Sequence, residues 1–174
     1  MVSLVRLPAK WHHRGRLKCL DVYLLFLDID GVLHPTSATL SERFCRAERL
    51  AAALAGSPCR VVVSSSWRHH HPLGDIAARL PASLRRAVIG TTGEPCFGRW
   101  PRHQEILAFV ARHAPDVSWR ALDDAWLEFP PGCPQLILCD PNVGIDERQL
   151  ANLQAWLGGA ATPTADEAQS FDRQ

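Results

Sequence analysis

The sequence predicts an α/β fold: an open parallel Rossmann-like sheet with helices on both faces and no large inserted domain. Three observations point there. The segment VYLLFLD (22–28) is a nearly continuous apolar run too short to be a helix, which suits a strand buried on both faces of a parallel sheet; CRVVVSSSW (59–67) reads as a second buried strand, and VSWRALDD (117–124) and QLILCD (135–140) are two further strand candidates. Segments of helical periodicity lie between them, and strands alternating with helices imply parallel crossovers. Three of the runs end in acids and the fourth in serines, and the functional groups of an open parallel sheet gather beyond the carboxyl ends of its strands.

The elements follow in order. Residues 1–20 form a basic extension, with Arg6, Lys10, Arg14, Arg16, Lys18, His12 and His13 and no acid. The extension lacks the apolar stretch of a secretory signal, and no run in the chain reaches the roughly 18 residues needed to cross a bilayer. A soluble, cytoplasmic protein with no membrane partner is expected. After the first strand comes a Gly/Pro loop, then a helix expected over residues 40–55, where Phe44, Ala47, Leu50, Ala51 and Leu54 recur at helical spacing, Ser41 is the candidate N-cap and Gly56 the stop. Residues 72–90 read as one or two short helices and a short strand near 87–89. A helix is expected over 101–113, opened by Pro101 in its first turn and carrying Ile106, Leu107, Phe109 and Val110. DERQLANLQAWLGG (146–159) closes the fold as a helix with a glycine stop. The segment 159–174 reads as a flexible tail, leaving 21–158 as the catalytic domain.

With 174 residues and 47% hydrophobic content, the chain can bury one sizeable core. Its net charge of +1 gives no global signal for nucleic acid, which needs a basic face. Six cysteines (Cys19, Cys45, Cys59, Cys96, Cys133, Cys139) are widely spaced with no CxxC pair and read as reduced thiols. Cys45, Cys59 and Cys139 fall in or beside apolar periodic segments and are expected in the core.

The chemistry concentrates in LLFLDIDGVLHP (24–35). A buried strand that runs into Asp28 and then Asp30, on a sheet whose other strands also end in acid, gathers carboxylates that raise each other's pKa unless a cation sits among them. Mg2+ suits such a site, because it takes oxygen ligands and keeps positions open for water and a substrate phosphate. An aspartate at the strand end can attack phosphorus and form an aspartyl-phosphate. The second acid, two residues on, can protonate the departing alcohol and then accept a proton from water. Gly31 lets the backbone approach a phosphate, whose oxygens the turn's N–H groups can bind.

DIDGVLHP resembles the first signature of the haloacid dehalogenase (HAD) superfamily, a strand ending D-x-D-G, and the rest of the pattern follows in order over residues 21–158. VVVSSS looks like the strand ending in a phosphate-binding Ser or Thr, with Ser65 favoured and Ser64 a rival. Arg102 in RHQEI looks like the basic residue at a helix head that neutralises the nucleophile and the phosphoryl group; arginine stands where lysine is commoner, and Arg99 competes for the role. LDD, Asp123 and Asp124, looks like the final acid pair, either of which can be the direct ligand, with Glu128 contributing at a distance. The resemblance implies Asp28 as nucleophile, Asp30 as general acid/base, and Mg2+ held by Asp28, the main-chain carbonyl of Asp30 and an acid of the last motif. Only about 30 residues separate Gly31 from Val61, so the domain looks capless, with an open cleft. In the family open clefts often go with large substrates.

The expectation is therefore a magnesium-dependent phosphomonoester hydrolase acting on a phosphorylated substrate of unknown class, with oligomeric state open. The alternative is a non-catalytic HAD-like regulatory domain that binds phosphate or a partner. A phospho-acceptor receiver domain would place its acids in a different order, and a two-metal nuclease fits the tight D-x-D-G spacing less well. Trp67 and Arg68 follow the second motif directly and are expected to line the cleft, with Arg68 meeting substrate. Adjacent His69, His70 and His71 point in different directions on any regular element and read as an exposed helix lead-in rather than a metal site. Trp100, Trp119, Trp126 and Trp156 are expected to pack, and Asp140 to form a turn before Pro141.

Overall fold

The computed structural model describes residues 22–159; the basic extension and the tail beyond Gly159 lie outside them. Five strands, β1 (Tyr23–Leu27), β2 (Cys59–Val63), β3 (Val88–Thr91), β4 (Ser118–Asp123) and β5 (Leu136–Leu138), form one sheet in the order β3-β2-β1-β4-β5. All neighbours pair parallel. β1 lies at the centre, with Leu27 opposite Val63 on one side and Leu122 on the other. The ends of β1, β2 and β4 therefore lie level, which puts the acids of the first and last motifs beside the serines of the second.

Alternation along β1 feeds two cores. Leu25 and Leu27 pack, with Val61 and Val63, against α1 (Ala47–Ala53), α2 (Leu73–Ala78), α3 (Ala82–Ala87) and α5 (Glu147–Leu157). Leu24, Phe26 and Val62 pack on the other face against Ile106 and Val110 of α4 (Pro101–His113). Both sheet faces are thus covered by helices, as the unbroken apolar runs require. Phe26 is fully buried and meets Phe109 and Trp119 edge-on, with centroids 5.5 and 5.7 Å apart. Asp146 caps α5 in a capping box with Gln149, which satisfies two of the first-turn N–H groups.

Several expectations need correction. α1 begins at Ala47, not near residue 40, and its N-cap position is Arg46 rather than Ser41. Residues 40–46 form successive turns instead, because Arg46 N donates to Leu33 O at 2.9 Å and Phe44 takes a left-handed backbone with φ 64°. Docking this segment onto the turn after β1 overrides its helical periodicity. Cys45 lies on these turns and is exposed, whereas Cys59 and Cys139 are buried as expected. Trp126 is 63% exposed rather than packed; Trp156 is buried against Tyr23. His69, His70 and His71 are exposed around the short 3-10 turn Ser66–His69 that leads to α2. Asp140 Oδ1 accepts from Asn142 N at 2.8 Å, the expected turn. Among the described residues no helix is long and apolar enough to cross a membrane.

Candidate active site

The ladder hydrogen bonds continue one residue past the strands. Asp28 N donates to Leu122 O at 3.0 Å, and Ser64 N donates to Leu27 O at 2.9 Å. Asp28 is thereby set on rigid backbone at the carboxyl edge, where its side chain leaves the apolar layer. Beyond it the chain turns sharply, with Val32 N and Leu33 N both donating to Ile29 O and Gly31 at φ 68°. A Cβ on Gly31 would stand 2.2 Å from Asp124 Oδ2. Glycine is required there twice over, by the left-handed backbone and by the carboxylate pressed against it.

Asp28, Asp123 and Asp124 each present a carboxylate oxygen within 4.8 Å of the others. Arg102, the second residue of α4, reaches into this group: its Nη1 lies 3.0 Å from Asp123 Oδ2 and 3.3 Å from Asp28 Oδ1, and its Nε lies 3.6 Å from Glu128 Oε2. Arg99, the rival, is exposed and stacks on Trp100, 4.4 Å from the ring centroid. The helix head thus brings Arg102 and not Arg99 to the acids. Burial disfavours the Arg102 charge, but the facing carboxylates of Asp123, Asp28 and Glu128 more than compensate and raise its pKa.

One guanidinium does not balance these acids. Burial, then repulsion from Asp28, pushes the Asp123 carboxyl well above the usual range against the pull of Arg102. Asp124 is pushed up to about 6 by the same two causes. Three convergent carboxylates short of positive charge form a donor set that fits a hard divalent cation. Asp123 is the more constrained of the final pair: its Oδ2 takes Arg102 and its Oδ1 accepts from Ala125 N at 2.9 Å.

At the end of β2, Ser64 and Ser65 are both fully buried. Ser65 Oγ accepts the N–H of Trp67 at 3.4 Å and caps the 3-10 turn. Ser64 Oγ has no protein partner. An orphaned buried hydroxyl calls for water or a ligand. Arg68, expected to meet substrate, turns inward. Its Nη1 donates to Ser64 O and Ser65 O at 3.0 and 2.8 Å, and its Nη2 pairs with buried Glu105 at 2.6 Å. All the guanidinium nitrogens are engaged, Nε with Gly93 O at 3.3 Å, so Arg68 braces the backbone of the second motif against α4. Glu105 was not foreseen; an acid one helical turn after Arg102 was the available signal.

Asp30 stands apart from the three-carboxylate group. His34 Nε2 lies 3.0 Å from its Oδ1, and Trp67 Nε1 donates to its Oδ2 at 2.7 Å. Trp67 therefore reaches the cleft, through its N–H rather than its ring face. His34, buried in the turn after β1, was not foreseen: it lies only four residues from Asp30, but the conformation of the turn is what aims its ring at the carboxylate.

A five-stranded parallel sheet carrying acids on β1 and β4, serines on β2 and a basic residue at the head of α4 is a HAD-type α/β domain. The chain belongs to the family described as the HAD domain in Swiss Army Knife RNA repair proteins, which matches residues 24–150. No curated protein and no solved structure gives a significant match to it.

Proposed function

We propose that the protein is a magnesium-dependent phosphomonoester hydrolase that works through an aspartyl-phosphate on Asp28. The observation that carries this reading is the convergence of Asp28, Asp123 and Asp124 around a single arginine at the carboxyl edge of the sheet. Mg2+, held by Asp28, the Asp30 carbonyl and Asp123 or Asp124, would supply the charge that lets these acids sit together beside a phosphate.

The chain's own residues do the rest. Asp28, fixed at the end of β1, attacks phosphorus, and the P–O bond to the leaving group breaks. Arg102 holds Asp28 in place and offsets its charge. Asp30 gives a proton to the departing oxygen; it then takes one from the water that attacks phosphorus and frees Asp28. Ser64, with its unpartnered buried hydroxyl, together with Ser65 and the N–H groups around Gly31, binds the phosphate oxygens.

The family's occurrence in RNA repair proteins makes a phosphorylated RNA end the first substrate class to test. Exposed Phe97 and Trp126 follow β3 and β4, and rings of this kind can stack on unpaired bases. A cytoplasmic setting accords with the five described cysteines, all of which are free.

The test is release of inorganic phosphate from an aryl phosphate and from 3′- and 5′-phosphorylated RNA oligonucleotides, with Mg2+ or with EDTA, for the wild type and Asp28→Asn. Turnover that needs Mg2+ and vanishes in the variant is expected. Folded wild type that releases no phosphate from any of these substrates would move the reading to a phosphate-binding domain without turnover.

A further inference from the structure

Asp30 is held from two sides by residues to which the chemistry above gives no part. His34 comes from the turn after β1 and Trp67 from the turn after β2, 37 residues away from Asp30 in sequence. One donor on one oxygen would leave a carboxylate free to rotate about its last torsion. A donor on each oxygen, Oδ1 facing His34 and Oδ2 facing Trp67, fixes its plane.

Both donors are themselves fixed. His34 Nδ1 accepts the main-chain N–H of Phe44 at 3.4 Å, so the ring carries its hydrogen on Nε2, directed at Asp30. Phe44 offers that N–H from a left-handed backbone, φ 64°, a conformation that L side chains disfavour and that packed structures retain chiefly at functional sites. The Trp67 indole is enclosed by Phe44 edge-on at 5.4 Å, His71 at 5.0 Å and the guanidinium groups of Arg43 and Arg79 at 5.5 and 5.8 Å from its centroid. The side chain of Asp30 nevertheless stays 46% exposed while that of His34 is 2% exposed. An open carboxylate gripped by two buried donors is arranged for use.

We propose that His34 and Trp67 are positioning residues that lock the Asp30 carboxylate in the rotamer from which it serves the leaving group. This rests on the reading of Asp30 as the proton donor. As the P–O bond breaks, the leaving oxygen keeps the electron pair and takes the proton from Asp30. In the second half Asp30 takes back the proton of a water whose oxygen bonds to phosphorus as the bond to Asp28 breaks.

The test compares kcat/KM, which reports the steps up to departure of the leaving group, on two monoesters in Mg2+ for the wild type, Asp30→Asn, Trp67→Phe, His34→Leu and His34→Gln. A nitrophenyl ester has a leaving group that departs without a proton, and an alkyl ester has one that needs it. Trp67→Phe keeps the ring and loses the N–H, and glutamine restores a donor that leucine lacks. Trp67→Phe and His34→Leu are expected to lower kcat/KM on the alkyl ester by about 10- to 100-fold. On the nitrophenyl ester kcat/KM should change by less than about 3-fold, since general-acid help matters only where a proton is required, whereas kcat falls on both esters to the extent that hydrolysis of their common aspartyl-phosphate, which also uses Asp30, limits turnover. His34→Gln should recover part of the alkyl rate. Equal losses of kcat/KM on both esters, with Asp30→Asn still selective for the alkyl ester, would overturn the positioning role and leave Asp30 as donor. Absence of selectivity in Asp30→Asn itself would overturn both. Should Trp67→Phe fail to fold, the leucine and glutamine pair at His34 decides alone.

Discussion

Gly31→Ala probes the join between backbone and site most directly. The added Cβ would stand 2.2 Å from Asp124 Oδ2, about 1.2 Å short of the 3.4 Å at which ordinary contact begins. Asp124 must therefore retreat by about that distance from a group whose ligand atoms lie within 4.8 Å of one another. Alanine at φ 68° also carries left-handed strain of roughly 1–2 kcal/mol. Strain and clash separate cleanly, because Gly56 has φ 76° with nothing within 4 Å of its would-be Cβ and lies in the turn after α1. Gly56→Ala should cost the strain alone, about 2–8 °C in Tm for a domain of this size. Gly31→Ala should cost that much or more, weaken Mg2+ binding about tenfold and reduce kcat/KM about 100-fold, the expected effect of a 1 Å misplacement of catalytic groups. Thermal unfolding, calorimetric Mg2+ titration and phosphate release read the three effects. If Gly31→Ala matches Gly56→Ala in Tm and binds Mg2+ like the wild type, the packing of Asp124 against this turn has no part in cation binding.

Other expectations follow from the same charges. Burial and repulsion from Asp28 raise the folded-state pKa of Asp123 and Asp124, so their stabilising contribution is full below the unfolded value near pH 4 and is lost as pH rises through about 6 and above. In EDTA, Tm should fall between pH 5 and pH 8 by less in Asp124→Asn than in the wild type, and Mg2+ should raise the wild-type Tm more at pH 8 than at pH 5; an equal response at both pH values would contradict the raised pKa values. Asp28→Asn removes one of the repelling charges and should melt at or above the wild-type temperature in EDTA while losing turnover. Arg102→Met leaves buried Asp123 without its partner and should destabilise by roughly 3–5 kcal/mol, measured by urea unfolding. Arg102→Lys keeps the charge but loses the planar fork that spans Asp28, Asp123 and Glu128, and should retain most of the stability with a lower kcat. Trp126→Ser, at an exposed position, should change stability by less than about 0.5 kcal/mol and leave aryl phosphate hydrolysis intact.

Much of this site is legible in the order of residues, because parallel strands carry their information locally. An unbroken apolar run must be buried on both faces, and the residue that ends it must lie at the sheet edge; that places Asp28, the serine pair and Asp123/Asp124 together before any contact is known. α4 spans Pro101–His113, as the proline and the apolar spacing predict, for the same local reason. Helical periodicity misled at residues 40–46, where the hydrogen bonds from Arg46 N to Leu33 O and Phe44 N to His34 Nδ1 prevail over a weak propensity.

The sequence by itself determined the fold class, the edge on which the acids gather and the residue types available to a phosphoryl group. Only the tertiary structure decided that Arg102 and not Arg99 meets the acids, that Arg68 braces the second motif from within, and that Ser64 holds the orphaned hydroxyl. It also brought Trp67, 37 residues away, to one oxygen of Asp30, and Phe44 N to the His34 ring that faces the other. The physical reason is range: periodicity reports which face of a segment is buried, whereas a side chain's partner is set by where another segment, tens of residues away, packs against it.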